Sequence, residues 1–165
     1  MSAHPDLGAI FDEHIRCEFV LKDAERTMET MSDNPWLNHV PTGTGGTGRD
    51  AVLEFYRDVF IPAWPEDVRT TPIARTVGTN QVVDELVVHF THTTTMDFML
   101  PGVEPTGRPV KLLHVVSVGF ERDKIAYERI YWDQASLLAQ IGLLDRAAVP
   151  TLGAEQARKV LADRS

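Results

Sequence analysis

The hydrophobic pattern of this chain changes its period near residue 69, and that change limits the folds open to it. Before residue 69, apolar side chains recur every three or four residues, the spacing that places them on one face of a helix. After residue 69, runs rich in Val, Thr and Phe alternate between apolar and polar positions, as half-buried strands do. Helices followed by an antiparallel meander indicate an α+β fold rather than repeated βαβ units.

Local signals place the individual elements. The first helix is predicted from a stripe made of Leu7, Ile10, Phe11, Ile15, Phe19 and Val20. Asp23 is expected to cap a second helix over residues 24–31, and a third helix is expected from Arg49 to about Ile61. Strands are predicted at 69–77, 81–99, 111–122 and 125–132, and later helices at 134–144 and 153–162. We therefore predict one domain over residues 1–146 and a C-terminal extension with a short helix over residues 147–165.

The charge balance and the cysteine count exclude several classes of protein. The formal net charge is −8 and the basic residues are scattered singly, which argues against a nucleic-acid surface. The single cysteine, Cys17, excludes an internal disulfide and fits a reducing compartment. The N-terminus has no basic segment followed by an apolar one, and no apolar run approaches ~18 residues. We therefore expect a cytoplasmic protein with no nucleic-acid or membrane partner.

A glycine motif at the start of the third helix resembles a dinucleotide-binding turn. Gly43, Gly45 and Gly48 satisfy G-x-G-x-x-G. Such a site needs a complete βαβ unit behind the turn. Here the preceding extended segment, residues 36–40, is short, and the later strands are predicted to be antiparallel. We interpret residues 41–48 as a flexible loop at the rim of a pocket.

The alternation of side chains along the long strands predicts an apolar pocket that contains histidines. Leu86, Val88 and Phe90 share one strand face with His92 and Met96, because alternate residues point to the same side. A second strand has the same pattern, with one histidine on a face made of Val110, Leu112, His114, Val116, Val118 and Phe120. Each histidine is either a core residue bonded to a neighbour or part of a pocket. Two of them on inward faces of one curved sheet favour the pocket.

The end of the last strand, residues 128–133, carries the strongest candidates for chemistry. Both faces of this strand are mixed, so alternation does not decide which side points inward. Arg129 could hold a substrate carboxylate, or it could form a structural ion pair with Glu128 or Glu85, and we favour the ion pair. Asp133 could cap the following helix, or it could act as a general base at the mouth of an apolar pocket, and one aspartate can do both.

Three segments together resemble the SnoaL-like polyketide cyclase family, in a branch often labelled carboxymethylenebutenolidase-like. They are Asn38-His39-Val40-Pro41-Thr42 with Gly45-Gly46, the stretch from Phe90 to Gly107, and the stretch from Glu128 to Leu144. The resemblance implies an NTF2-like (cystatin-like) cone, in which N-terminal helices pack on a strongly curved antiparallel sheet around a pocket. It also implies a homodimer formed through the sheet and cofactor-free chemistry with Asp133 as the acid or base. A hydrolase of the dienelactone type would need a nucleophile elbow, whereas Cys17 lies in a predicted helix.

These observations lead to two hypotheses. The first is an enzyme without cofactor or metal that uses Asp133, His92 and His39 for aldol-type cyclisation, isomerisation, or lactone or epoxide hydrolysis of a small, mostly apolar oxygenated molecule. Metal binding is not predicted, because the histidines lie on separate elements. The second is a module that binds a small ligand or dimerises without catalysis. The pocket wall is predicted to contain Trp36, Met96, His114, Arg129, Tyr131 and Trp132.

Overall fold

The computed structural model describes residues 5–163, and in them helices pack on a six-stranded sheet. Residues 1–4, the start of the segment in which the sequence predicts no leader, lie outside the described residues. The α+β fold class predicted from the change of period is confirmed. Within residues 5–163, no helix is both long enough and apolar enough to cross a membrane.

The helices begin at capping residues and several continue into tighter or wider turns. Asp6 accepts a hydrogen bond from the Ala9 amide, and Asp23 accepts one from the Arg26 amide, so two aspartates cap the first two helices. Helix α1 (Leu7–Arg16) runs on through a π-helical turn (Cys17–Leu21), and α3 (Arg49–Glu54) runs on through another (Phe55–Phe60) and a 3₁₀ turn (Ile61–Ala63). The remaining helices are α2 (Ala24–Glu29), α4 (Gln134–Gln140) and α5 (Glu155–Ala162).

The strands form one sheet in the order β2-β1-β6-β5-β4-β3. All neighbouring pairs are antiparallel except β1 and β6, which are parallel. Register shifts interrupt β3 against β4, β5 against β6, and β1 against β6, and such irregularities bend a sheet. The strands are β1 (Met31–His39), β2 (Thr44–Thr47), β3 (Arg69–Val77), β4 (Gln81–Thr91), β5 (Pro109–Glu121) and β6 (Lys124–Trp132).

Two of the sequence predictions near the site differ from the structure. The run predicted as a strand over residues 81–99 ends at Thr91, because the His92 amide bonds to the Arg108 carbonyl and the chain turns into a loop. The segment predicted as a flexible loop is a β1–β2 hairpin. At Gly45 the φ angle is +143° and a Cβ atom would collide with the Leu37 carbonyl, so the hairpin requires glycine there.

The core lies between the helices and the inner face of the sheet, where aromatic side chains dominate. Phe60 is central, since its ring contacts those of Phe55, Trp64 and Phe98 at centroid distances of 5.0 to 6.1 Å. Phe98 belongs to the loop after β4, and its carbonyl accepts hydrogen bonds from the hydroxyls of Thr42 and Thr44. These bonds tie that loop to the hairpin and close one side of the space between helices and sheet.

Candidate active site

A cavity of about 540 Å³ lies between α1 and the inner face of the sheet. This volume is in the range of small-molecule sites. Its walls are mostly apolar, with residues such as Phe19, Leu37, Phe60, Val88 and Ile130. Buried polar groups enter the wall in two places. They are Glu18 with Glu128, and His39 with His114.

Helix α1 and the π-helical turn that continues it place polar side chains at one end of the cavity, because their inward stripe is not wholly apolar. Leu7 and Phe11 are buried on this stripe, and His14 follows at the next turn. The π-helical turn then keeps Glu18 buried as well, four residues beyond His14. From the opposite side, Glu128 reaches the same place from the inner face of β6. The side chains of His14, Glu18 and Glu128 are at most 8% exposed.

Three oxygen atoms surround one nitrogen atom of His14. Nε2 lies 2.8 Å from Oε1 of Glu128, 3.2 Å from Oε1 of Glu18 and 3.2 Å from the hydroxyl of Tyr56. The Tyr56 hydroxyl in turn donates to Oε2 of Glu128 at 3.3 Å. We call His14, Glu18, Glu128 and Tyr56 the carboxylate end of the cavity.

The other ring nitrogen of His14 fixes the orientation of the imidazole. Nδ1 lies 2.6 Å from the hydroxyl of Thr30, and that hydroxyl donates its own hydrogen to the Thr27 carbonyl. Thr30 must therefore accept from Nδ1, which carries a proton. Nε2 faces the two carboxylates and donates its hydrogen to the Tyr56 hydroxyl, which donates its own hydrogen to Glu128.

The charge of His14 follows from these neighbours. Burial alone lowers the pKa of an imidazole, but Glu128 and Glu18 more than offset it and raise the pKa of His14 to about 10. Burial also raises the pKa of Glu18, and the attraction of His14 offsets this only in part. The four groups thus hold an imidazolium between two carboxyl groups, one of which has an increased affinity for a proton.

The same atoms are spaced closely enough to share a divalent cation. Nε2 of His14 and one oxygen from each carboxylate lie within 4.8 Å of one another. A cation at this place would have to displace the proton on Nε2, which the raised pKa of His14 holds firmly. The charge state therefore favours proton chemistry at the carboxylate end.

The second polar place, which we call the histidine end, has the opposite electrostatics. Burial lowers the pKa of His39 to about 3, with a further contribution from His114, and burial lowers the pKa of His114 to about 4. Nδ1 of His114 donates to the Leu112 carbonyl at 3.2 Å, so Nε2 carries the lone pair. The ring of His39 lies among Phe55, Phe60, Phe98 and Trp132, and its Nδ1 has no hydrogen-bond partner within residues 5–163.

Of the nine residues predicted for the site, only His39 and His114 line the cavity. Asp133 does not. It caps α4, where Oδ1 accepts from the Ser136 amide at 3.0 Å and Oδ2 accepts from the Gln156 side chain at 2.6 Å. The N-cap interpretation of Asp133 is confirmed, and its two oxygens already have partners outside the cavity.

His92 and Met96 are buried, but in the loop after β4 rather than in the cavity wall. Nδ1 of His92 lies 3.1 Å from the Thr106 hydroxyl, so this histidine joins the two ends of its loop. Met96 is completely buried in the core. Because β4 ends at Thr91, the strand alternation on which both predictions depended does not extend to these residues.

Strand β6 separates the remaining candidates onto its two faces. Trp132 points inward and lies behind the histidine end, with its ring 5.5 Å from His114 and 5.7 Å from His39. Tyr131 is 40% exposed on the other face. Trp36 also lies outside the cavity lining, since its ring stacks on Tyr127 at 4.7 Å.

The predicted ion pair of Arg129 with Glu128 or Glu85 is wrong. Neighbouring residues of a strand point to opposite faces, so Glu128 enters the cavity whereas Arg129 lies over the ring of Tyr127 at 4.8 Å. The Arg129 guanidinium donates to the hydroxyls of Ser117 and Tyr127. Glu128 is paired with His14 instead.

Comparison with known proteins places the chain in a family. The family model of SnoaL-like polyketide cyclases matches residues 18–141, and the chain belongs to this family. No curated protein matches the chain.

Solved structures share the fold at low sequence identity. A protein from Jannaschia sp. CCS1 assigned to the SnoaL-like polyketide cyclases has a TM-score of 0.65 and 16% identity, and the match covers 88% of this chain and 99% of that one. IdmH from Streptomyces antibioticus, assigned as a polyketide cyclase, has a TM-score of 0.64 and 20% identity, with 84% and 99% covered. The epoxide hydrolase/cyclase-like enzyme SalBIII, linked to pyran ring formation in the polyether salinomycin, has a TM-score of 0.59 and 19% identity, with 77% and 90% covered. Solved structures described as NTF2-like and ketosteroid isomerase-like also match the chain, and they bear out the NTF2-like fold.

Proposed function

We propose that this chain is a cofactor-free enzyme of the cyclase or isomerase type, with Glu128 as the general base. Its substrate is a small, mostly apolar molecule with a carbonyl group, because most of the cavity wall is apolar and its buried polar groups are gathered in two places. The observation that carries the proposal is the buried Glu128 carboxylate, which lines this cavity and contacts a histidine cation.

The first step of such a reaction is removal of a proton from the carbon next to the carbonyl. A carboxylate in an apolar cavity is poorly hydrated, so it does not have to shed a water shell before it accepts the proton. His14 and Tyr56 hold the Glu128 carboxylate from the side of the protein. Both contacts fix its position relative to a bound substrate, which lowers the entropic cost of reaching the reactive geometry.

The histidine end supports orientation of the substrate. The cavity face of β6 carries Glu128, and four residues further along the strand Trp132 pairs with His114. At about 3.3 Å per residue, Glu128 and His114 are about 13 Å apart along the strand. Nε2 of neutral His114 can accept a hydrogen bond from a substrate hydroxyl, whereas the aromatic rings near His39 enclose apolar parts.

Lactone hydrolysis through a cysteine nucleophile has no support in this site. Cys17 is buried, its thiol contacts Glu13, and it does not line the cavity. Burial and the nearby Glu13 carboxylate raise the pKa of the Cys17 thiol, which opposes formation of the reactive thiolate.

A probe that needs only a base tests the proposal without knowledge of the natural substrate. In 5-nitrobenzisoxazole, removal of the ring C–H proton breaks the N–O bond and releases a coloured nitrophenolate. We expect the protein to accelerate this reaction and Glu128→Gln to reduce the rate by about 100-fold or more. Asp133→Asn is the matched control, and it should leave the rate unchanged.

The alternative, a ligand-binding module without catalysis, predicts a different result. The wild type and Glu128→Gln would then react equally slowly, while both still bind an apolar ligand. If Asp133→Asn loses the ring-opening rate and Glu128→Gln keeps it, the general base is Asp133 and not Glu128.

Assembly is a separate proposal. We infer that two copies associate through the outer face of the sheet, as the family resemblance implies. Light scattering on the purified protein should give twice the chain mass of 18.4 kDa, and a value of one chain mass would contradict the dimer.

A further inference from the structure

The carboxylate end contains a second carboxyl group that general-base chemistry at Glu128 does not use. Glu18 lines the same cavity and is almost as deeply buried as Glu128. It comes from the π-helical turn after α1, whereas Glu128 comes from β6, so the two groups approach the cavity from different elements. A bound molecule could therefore present different atoms to each of them.

One nitrogen atom joins these two carboxyl groups. Nε2 of His14 lies 2.8 Å from Oε1 of Glu128 and 3.2 Å from Oε1 of Glu18, and these distances permit proton transfer once the ring turns its N–H away from the Tyr56 hydroxyl. Thr30 holds the opposite side of the ring, so Nε2 stays between the carboxylates. Since these groups are at most 8% exposed, bulk water has little access to them.

We propose that Glu18 is a second catalytic residue, which donates a proton to the substrate, and that His14 returns protons from Glu128 to Glu18 after each turnover. The proposal rests on the function of Glu128 as the base. It defines the reaction class as one in which a proton leaves one atom of the substrate and another proton is added at a different atom. Isomerisation of a β,γ-unsaturated ketone to its conjugated isomer is the simplest reaction of this class.

The proton balance closes within the site. Glu128 removes a proton from the carbon between the carbonyl and the double bond, and the electron pair forms a dienolate. Glu18 donates its proton to the far carbon of the former double bond, and the conjugated ketone leaves. Glu128 is now protonated and Glu18 is ionised. His14 gives its Nε2 proton to Glu18 and receives the proton of Glu128, which restores the starting state.

The electrostatics of the resting state agree with these roles. Burial raises the pKa of Glu18, which favours the protonated form that an acid needs. The shorter contact of the histidine cation is with Glu128, the group assigned as the base. The acid and the base are thus distinct before the substrate binds.

Two probe reactions separate the acid from the base. Ring opening of 5-nitrobenzisoxazole needs only the base, whereas isomerisation of cyclohex-3-en-1-one to the conjugated enone needs the base and the acid. We expect Glu18→Gln to lose isomerisation by about 100-fold and to keep ring opening within about tenfold. Glu128→Gln should lose both reactions. Glu13→Gln, an exposed position on the same helix, is the control and should change neither.

The possible results distinguish failure of this proposal from failure of the base. If Glu18→Gln isomerises the ketone as fast as the wild type, or if the wild type does not accelerate isomerisation at all, the acid role of Glu18 is overturned while the base can still stand. If Glu18→Gln lowers both rates equally, Glu18 only supports Glu128 and the proposal is also overturned. Glu18→Asp keeps an acid, and partial recovery of isomerisation would support the role. Circular dichroism confirms that each variant is folded.

Return of the proton through His14 has its own measurement. In D₂O, protons taken from earlier substrate molecules should reappear in later products, so NMR of the product should show less than one deuterium at the newly protonated carbon. Incorporation of one full deuterium in every product molecule would show that Glu18 is reloaded from solvent and would overturn the return step.

Discussion

The two polar places in the cavity bury histidines to a similar depth but leave them in opposite charge states. At the carboxylate end, the pKa of His14 is raised to about 10, whereas at the histidine end the pKa values of His39 and His114 are lowered to about 3 and about 4. All three rings are at most 5% exposed. The difference is the presence of Glu18 and Glu128, which only His14 contacts.

This comparison shows that burial alone does not determine the role of a histidine. Burial removes the charge unless carboxylates accompany the ring into the core. One end of the cavity is therefore able to exchange protons, and the other is a neutral surface with a hydrogen-bond acceptor. A pocket with these two ends can orient a molecule and react with it at one place.

The largest expected effect comes from removal of the cation at the carboxylate end. His14→Gln leaves two buried carboxyl groups without their counter-charge, so we expect a loss of about 3–5 kcal/mol in the free energy of unfolding. Urea titration at pH 7 measures it. The double variant His14→Gln/Glu128→Gln should recover part of the loss, because the unpaired charge of Glu128 is gone.

A suitable control is His89→Gln, since His89 is also buried but, within residues 5–163, bonds only to the Thr71 hydroxyl and has no carboxylate partner. We expect it to cost about 1 kcal/mol. If both variants lose the same free energy of unfolding, the carboxylates do not determine how much His14 stabilises the protein.

The second effect concerns acid stability at the histidine end. An unfolded histidine has a pKa near 6.5 and folded His39 one of about 3, so below pH 6.5 the unfolded chain binds a proton that the folded chain does not. Stability must therefore fall as the pH decreases from 6.5. His39→Phe removes this group, and at pH 4.5 we expect it to be more stable than the wild type by about 2.7 kcal/mol.

At pH 7 the same two proteins should have nearly equal stability. The Nδ1 atom of His39 has no hydrogen-bond partner within the described residues, so an aromatic ring of similar shape replaces it at little cost. If the stability of the wild type and that of His39→Phe change in parallel with pH, His39 is not a neutral buried group.

The smallest effect is expected at Asp133, the general base predicted from the sequence. Asp133→Ala removes the cap of α4 and the bond to Gln156, so we expect a loss of about 1 kcal/mol in stability. Ring opening of the benzisoxazole probe should be unchanged. A loss of activity much larger than the fraction of unfolded protein explains would place Asp133 in the chemistry.

Much of the fold follows from periodicity in the sequence. The switch from helical to alternating patterns predicts the α+β class, and the strand over residues 69–77 has the bounds predicted for it. Boundaries that depend on distant contacts are harder to predict. Strand β4 stops where the loop of His92 folds back on Thr106 and Arg108, and nothing in the local pattern marks that point.

The candidate site was harder to predict because its residues interrupt apolar patterns. His14 and Glu18 are spaced i, i+4 and continue the stripe of Leu7 and Phe11, so a polar pair on an apolar stripe was an available signal. Strand β6 has mixed faces, and alternation alone could not show that Glu128 points inward. Its partner His14 lies 114 positions earlier in the chain, and only the fold brings them together.

The charge difference between the two ends of the cavity can be measured directly with ¹⁵N-labelled histidine. Long-range ¹H–¹⁵N spectra at pH 7 distinguish an imidazolium, with both nitrogens protonated, from a neutral ring, and single His→Gln variants assign each signal. We predict that His14 is a cation up to about pH 10, whereas His39 and His114 are neutral down to about pH 4. A neutral His14 at pH 7 would contradict the account, because Glu128 and Glu18 would then have no cation between them.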